Sequence, residues 1–121
     1  MANAVNWFEI PATNLKRAVK FYGEVLESEL QPMESNGLQM AFFPAQDHGV
    51  GGCVTYGNGN KPQPEGTLVY LNGGDDLAKP LSRVEKAGGK IVLPKTPLGP
   101  NGFMAIIMDS EGNRVALHSM K

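Results

Sequence analysis

Hydrophobic and polar positions alternate at the start of the chain. Val5, Trp7 and Glu9 fall on one face of the segment Val5–Ile10, and Phe8 and Ile10 on the other, the period-two pattern of a half-buried strand. Pro11 closes that segment, and Thr13 or Asn14 stands where a helix N-cap belongs. Leu15, Ala18, Val19, Tyr22, Val25 and Leu26 then recur at helical spacing. They form one apolar stripe about 100° wide, with Lys16, Arg17, Lys20 and Glu24 on the wet side. Segments at about 29–35, 38–44 and 50–56 read as strands. Asn36-Gly37 joins the first two as a tight hairpin, because both residues tolerate positive φ. The polar, Pro- and Gly-containing stretch from Asn58 to Gly66 is the one internal boundary.

The second half repeats this order. Thr67–Leu71 reads as a strand, and Asp75-Asp76 caps a helix carrying Leu77, Leu81 and Val84. Pro80 lies in its first turn, where a missing N–H is tolerated, and Gly88-Gly89 stops it. Strands follow at about 90–93, 102–108 and 113–118, with Asp109–Asn113 as the turn between the last two. The run Asn36–Phe43 resembles Asn101–Ile107 with a one-residue gap, so the halves correspond at an offset of about 61 to 65 positions. A half of about 60 residues buries too little surface to stand alone, which is the physical reason for pairing two. The expected fold is α+β: two βαβββ modules whose curved mixed sheets form a cleft. One domain covers 1–121, with module one at 1–57, a linker at 58–65 and module two at 66–121.

Composition narrows the partners. The 121 residues carry 11 Lys and Arg against 12 Asp and Glu, with no basic stripe, which argues against nucleic acid and against an anionic membrane surface. No apolar run approaches the roughly 20 residues of a spanning helix. A single cysteine, Cys53, allows no internal disulfide, and no leader pattern precedes the first strand. A cytoplasmic location is the expectation.

The run Trp7–Tyr22, with Asn14-Leu15, Arg17-Ala18 and Phe21-Tyr22 at its helix, resembles the opening of the vicinal-oxygen-chelate superfamily, which includes glyoxalase I, bleomycin-resistance proteins and extradiol dioxygenases. Asp109-Ser110-Glu111-Gly112-Asn113-Arg114-Val115-Ala116-Leu117 resembles that superfamily's closing motif. Within it, Val5–Pro11 and Leu117–Met120 are similar to a glyoxalase-related branch of uncharacterised function. The resemblance spans essentially the whole chain. It implies a small organic molecule as ligand and a homodimer as assembly, and it does not choose a reaction. In metal-dependent members, ligands come from four strand positions, which here are Trp7, Cys53 (or Gly52), Thr67 and Ala116. Trp, Thr and Ala supply neither imidazole nor carboxylate, so no metal ligand is assigned and no cofactor is expected. A divalent metal on displaced ligands stays open.

If the resemblance holds, one face of the first and last strands looks into the cleft. Glu9 and His118 then become the candidate catalytic residues, a carboxylate and an imidazole suited to proton abstraction beside a carbonyl. The plainer reading makes them a structural pair that satisfies each other's hydrogen bonds. Trp7 offers a flat stacking surface, or fills the space a metal occupies elsewhere. Arg114 shares the alternation of Ala116 and His118 and is placed to bind a carboxylate, or is an exposed strand-end arginine. Cys53 and Thr67 complete the candidate ligand-binding set, although Cys53 by itself reads as a small buried hydrophobe. His48 sits in a solvated turn. Met33, Met40, Met104 and Met108 read as adaptable core.

Three functions are compatible with these residues. The first is a small-molecule-binding, glyoxalase-like protein, acting as a metal-independent lyase or isomerase through Glu9 and His118. The second is a metal-dependent lyase or dioxygenase with displaced ligands. The third is a non-catalytic, drug-sequestering resistance protein.

Overall fold

The structure, a computed structural model, describes residues 3–121. Strand β1 (Trp7–Pro11) leads into helix α1 (Leu15–Leu26), followed by β2 (Gln31–Ser35), β3 (Leu38–Phe42) and β4 (Gly51–Tyr56). The second module has β5 (Tyr70–Asn72), the short helix α2 (Ala78–Leu81), β6 (Lys90–Pro97), β7 (Phe103–Met108) and β8 (Arg114–Ser119). The sheets have the orders β1-β4-β3-β2 and β5-β8-β7-β6, the same path traced twice. In each, the module's first strand pairs parallel to its last strand while the remaining pairs are antiparallel. No helix among the described residues is long and apolar enough to cross a membrane.

Local chemistry explains most boundaries. The Asn14 side chain caps α1 by accepting from the Arg17 N–H at 3.0 Å. Asn36 and Gly37 turn the first hairpin with φ of 52° and 81°, the left-handed pair that matches strand twist. Pro11 belongs to β1 instead of ending it, which an edge strand allows.

Two expectations are corrected. The strand expected at Thr67–Leu71 is regular only over Tyr70–Asn72, although the Val69 carbonyl just ahead of it still accepts the Ala116 N–H at 2.9 Å. The helix expected through Val84 is regular only over Ala78–Leu81. Pro80 has no N–H for the Asp76 carbonyl, and from Arg83 the bonds tighten to the third residue back, Arg83 N–H to Pro80 O and Val84 N–H to Leu81 O. Leu77, Leu81 and Val84 face the core all the same.

One core serves both modules. Ile10, Ala41 and Val54 from the first sheet and Leu71, Ala105, Ile107, Val115 and Leu117 from the second meet the buried face of α1. Phe21, outside the expected stripe, is fully buried because it reaches sideways to module two; a Cβ at Gly89 would lie 2.6 Å from its ring. Met33 is 50% exposed and so is not core. Gly51 and Gly52 open room in β4 for both aromatics of β1. A Cβ at Gly52 would overlap the Phe8 ring, and one at Gly51 would stand 3.2 Å from the Trp7 ring.

A polar latch fastens the β7–β8 turn of module two onto the start of α1. Glu111 accepts from Arg17 Nε at 2.6 Å, from the Asn14 N–H at 2.9 Å and from the Thr13 N–H at 3.0 Å. The Tyr22 hydroxyl donates to Asp109 Oδ2 at 2.6 Å in the buried core, and Asn113 Nδ2 donates to the Pro11 carbonyl at 2.7 Å. Burial, then the Asp109 charge, raises the Tyr22 pKa well above its ordinary value. For Glu111, burial opposes ionisation, but hydrogen bonds from Arg17, Asn14, Ser110 and Thr13 outweigh it and hold the carboxyl at about 2, against an ordinary 4.5. A pKa depressed by folding stabilises above the unfolded value and loses that effect as pH falls through the folded one. Glu111→Gln should therefore lower the melting temperature at neutral pH and flatten the loss of stability between about pH 4.5 and 2. Thermal unfolding at stepped pH measures both.

Candidate functional site

The sheet registers sort the candidate residues by face. Trp7 and Glu9 on β1 point away from the shared core, with Cys53 beside Glu9 on β4. Arg114, Ala116 and His118 alternate with the core residues Val115 and Leu117 on β8. The expected alternation is observed in both strands.

The seam between β1 and β5 holds two adjoining hollows. The larger, about 1120 Å³, is lined by Trp7, Phe8, Phe43, Leu68 and Tyr70 among others. The smaller, about 600 Å³, is lined by Glu9, Arg114, Lys61 and Glu65, and Thr67 and Val69 line both. Four of the six candidates, Trp7, Glu9, Thr67 and Arg114, thus gather at the seam. Trp7 stands edge-on to Phe42, with ring centroids 5.6 Å apart, and its indole N–H donates to Glu9 Oε2 at 3.3 Å. Asn58 Nδ2 donates to Glu9 Oε1 at 3.2 Å, so two neutral donors hold the carboxylate. Asn58 was not among the candidates; its place in a turn-rich linker reads as turn chemistry alone. Gly51, which admits the Trp7 ring, was also missed, and a glycine inside a strand pattern is the signal that marks such a close approach.

His118 lies elsewhere. Its Nε2 is 2.7 Å from the Asn101 carbonyl, and it lines a third hollow with Tyr70, Asn72 and Met120. No hydrogen bond or ion pair joins it to Glu9, so the structure does not bring that pair together.

The four strand positions do not fit a metal centre of the His/Glu type. The Trp7 N–H is a donor engaged with Glu9, Ala116 is buried and has no donor atom, and Thr67 offers a hydroxyl. The Cys53 thiol is fully buried, and burial, followed by the Glu9 charge, pushes its pKa up to about 11. Among the described residues no group of three or more His, Cys, Asp or Glu side chains converges.

Comparison with known proteins adds a family and a fold. The family model described as Glyoxalase/Bleomycin resistance protein/Dioxygenase superfamily matches residues 4–117. No curated protein sequence matches the chain. Glyoxalase I from Zea mays is similar in structure, with TM-score 0.72 and 23% identity over 95% of this chain. The chain spans only 45% of the maize chain. A glyoxalase-related enzyme from Fulvimarina pelagi aligns with TM-score 0.66 and 16% identity, covering 95% of this chain and 86% of its own. A glyoxalase/bleomycin resistance protein/dioxygenase family enzyme from Burkholderia phytofirmans PsJN gives 0.67 and 12%, covering 96% and 98%. At these identities the likeness is one of fold.

A thiol with a pKa of about 11 is almost wholly protonated at neutral pH. Cys53 should react with an aromatic disulfide reagent at pH 7.5 only at the rate of unfolding, and rapidly in denaturant, as absorbance of the released thiolate would report.

Proposed function

The chain belongs to the Glyoxalase/Bleomycin resistance protein/Dioxygenase superfamily, and from that premise we propose that it binds a small organic molecule at the seam between its two modules. The observation that carries this reading is the hollow of about 1120 Å³, with Trp7, Phe8, Phe43 and Tyr70 in its lining. An apolar cleft with a few placed polar groups is the usual form of a ligand site. Trp7 supplies the flat surface on which a planar group stacks. Glu9 is the one candidate for proton abstraction that stands beside this hollow. His118 is bonded to Asn101 and takes no part in that step. Reading the seam as a binding site needs no metal, in keeping with the indole, thiol, hydroxyl and methyl at Trp7, Cys53, Thr67 and Ala116.

Ligand binding should quench or shift the fluorescence of Trp7, the single tryptophan. In a screen of aromatic and carbonyl compounds, at least one should change the emission in a saturable way, and Trp7→Phe should weaken its affinity by about tenfold as read by calorimetry. Glu9→Gln should abolish any turnover while ligands without a positive charge still bind. Binding with no product in wild type would identify a sequestering protein, and no response to any compound would defeat the reading.

We further infer a homodimer. The chain spans 45% of the maize glyoxalase I chain, which leaves room in that protein for a second unit of this kind. Met33, Tyr56 and Tyr70 are each about half exposed on the sheets. Light scattering should give twice the 13.0 kDa chain mass, and a mass of one chain would overturn the inference.

A further inference from the structure

The smaller seam hollow carries four charged groups that do not pair with one another. Glu9 and Arg114 come from the fixed strands β1 and β8, and Lys61 and Glu65 from the linker. The ion pairs among the described residues are Arg17 with Glu111, Arg83 with Glu27 and Lys95 with Asp76, so none of the four is engaged in one. Two acids and two bases leave the hollow formally neutral. Glu9 is oriented by the Trp7 indole and the Asn58 amide, both neutral, so its negative charge is positioned without being cancelled. Arg114 makes no side-chain hydrogen bond to any described residue and presents a free guanidinium fork, the geometry that grips a carboxylate with two parallel bonds.

Opposite charges held apart in a neutral hollow favour a ligand that carries both signs. A simple cation satisfies Glu9 and leaves Arg114 uncomplemented, and a simple anion does the reverse. We propose that this hollow takes small zwitterions of the α-amino-acid class, with the ammonium against Glu9 and the carboxylate against Arg114. The inference rests on the seam being a small-molecule site and names the headgroup it selects. Thr67 and Val69 line both hollows, and Glu9 is bonded to the Trp7 ring at the edge of the larger one. An aromatic or apolar side chain on the amino acid would therefore extend into the larger hollow.

The test is calorimetry with four probes that share a phenyl body: phenylalanine, phenethylamine, 3-phenylpropionate and the uncharged 3-phenylpropanamide. Phenylalanine should bind about tenfold tighter than either singly charged probe. Arg114→Gln should reduce phenylalanine to the affinity of phenethylamine, and Glu9→Gln to that of 3-phenylpropionate, with Arg114→Lys recovering part of the loss. Both side chains are exposed, so unchanged melting temperatures confirm that the variants fold. Equal affinity for phenylalanine and the uncharged amide, undiminished in both variants, would overturn the headgroup assignment while leaving the seam a binding site. No binding by any of the four, combined with no Trp7 response in the wider screen, would remove the site and the headgroup together.

Discussion

The contact on which the architecture depends is the docking of the β7–β8 turn onto the N-terminus of α1. Glu111 receives the N–H of the N-cap Asn14 and that of Thr13 just before it, and the Arg17 guanidinium completes its shell. Asp109 receives the buried Tyr22 hydroxyl, and Asn113 ties the Pro11 carbonyl at the end of β1. Each of these polar groups would be costly to bury alone, and together they satisfy one another. They also fix how the second sheet lies on α1, which makes the two half-sized modules share one core. The two motifs most visible in the sequence, around Asn14–Tyr22 and Asp109–Asn113, are the two sides of this contact. They report the fold and say nothing of the reaction.

Much of the fold was legible because period and turn chemistry act locally. Alternation placed Trp7 and Glu9 opposite Phe8 and Ile10, and Val115 and Leu117 opposite Arg114 and His118, as the core confirms. Asn36-Gly37 marked its hairpin because few other pairs accept two left-handed residues. What was not legible depends on partners distant in sequence. Phe21 is buried against Gly89 of module two, and the Glu111 carboxylate reaches the start of α1 from the far end of the chain. The site follows the same division. Alternation tells which face a side chain takes, and it does not tell which residue of another sheet or loop stands across from it. Glu9 turns to Trp7 and Asn58, and His118 turns to Asn101, each a nearer donor or acceptor than the other.

The composition of the four strand positions has a structural counterpart. With an indole at position 7 and a methyl at 116, those positions bring apolar bulk to the sheet faces. Ala116 packs with Met104 and Ile106 in a small cluster of its own, and Trp7 leans on Phe42. Such packing stabilises the sheets directly through apolar contact. It also leaves Cys53 in a dry setting that keeps its thiol protonated.

The seam between the modules is held unevenly. At one end the Asn113 amide bonds Pro11, and the Gln63 N–H bonds Asn113. Among the described residues no hydrogen bond joins β1 to β5, and the two sheets remain separate ladders. The end near Trp7, where the larger hollow lies, is therefore bounded by side chains and loops with no shared backbone ladder. Side chains there can change in size and polarity without breaking strand pairing, because the pairing is internal to each module. The latch fixes the architecture at one end of the seam, and the lining of the larger hollow at the other end carries none of that load. In this chain the larger hollow is edged by the Trp7 indole, while the smaller, edged by the Glu9 carboxylate and the Arg114 guanidinium, adjoins Pro11 and Asn113 at the fastened end.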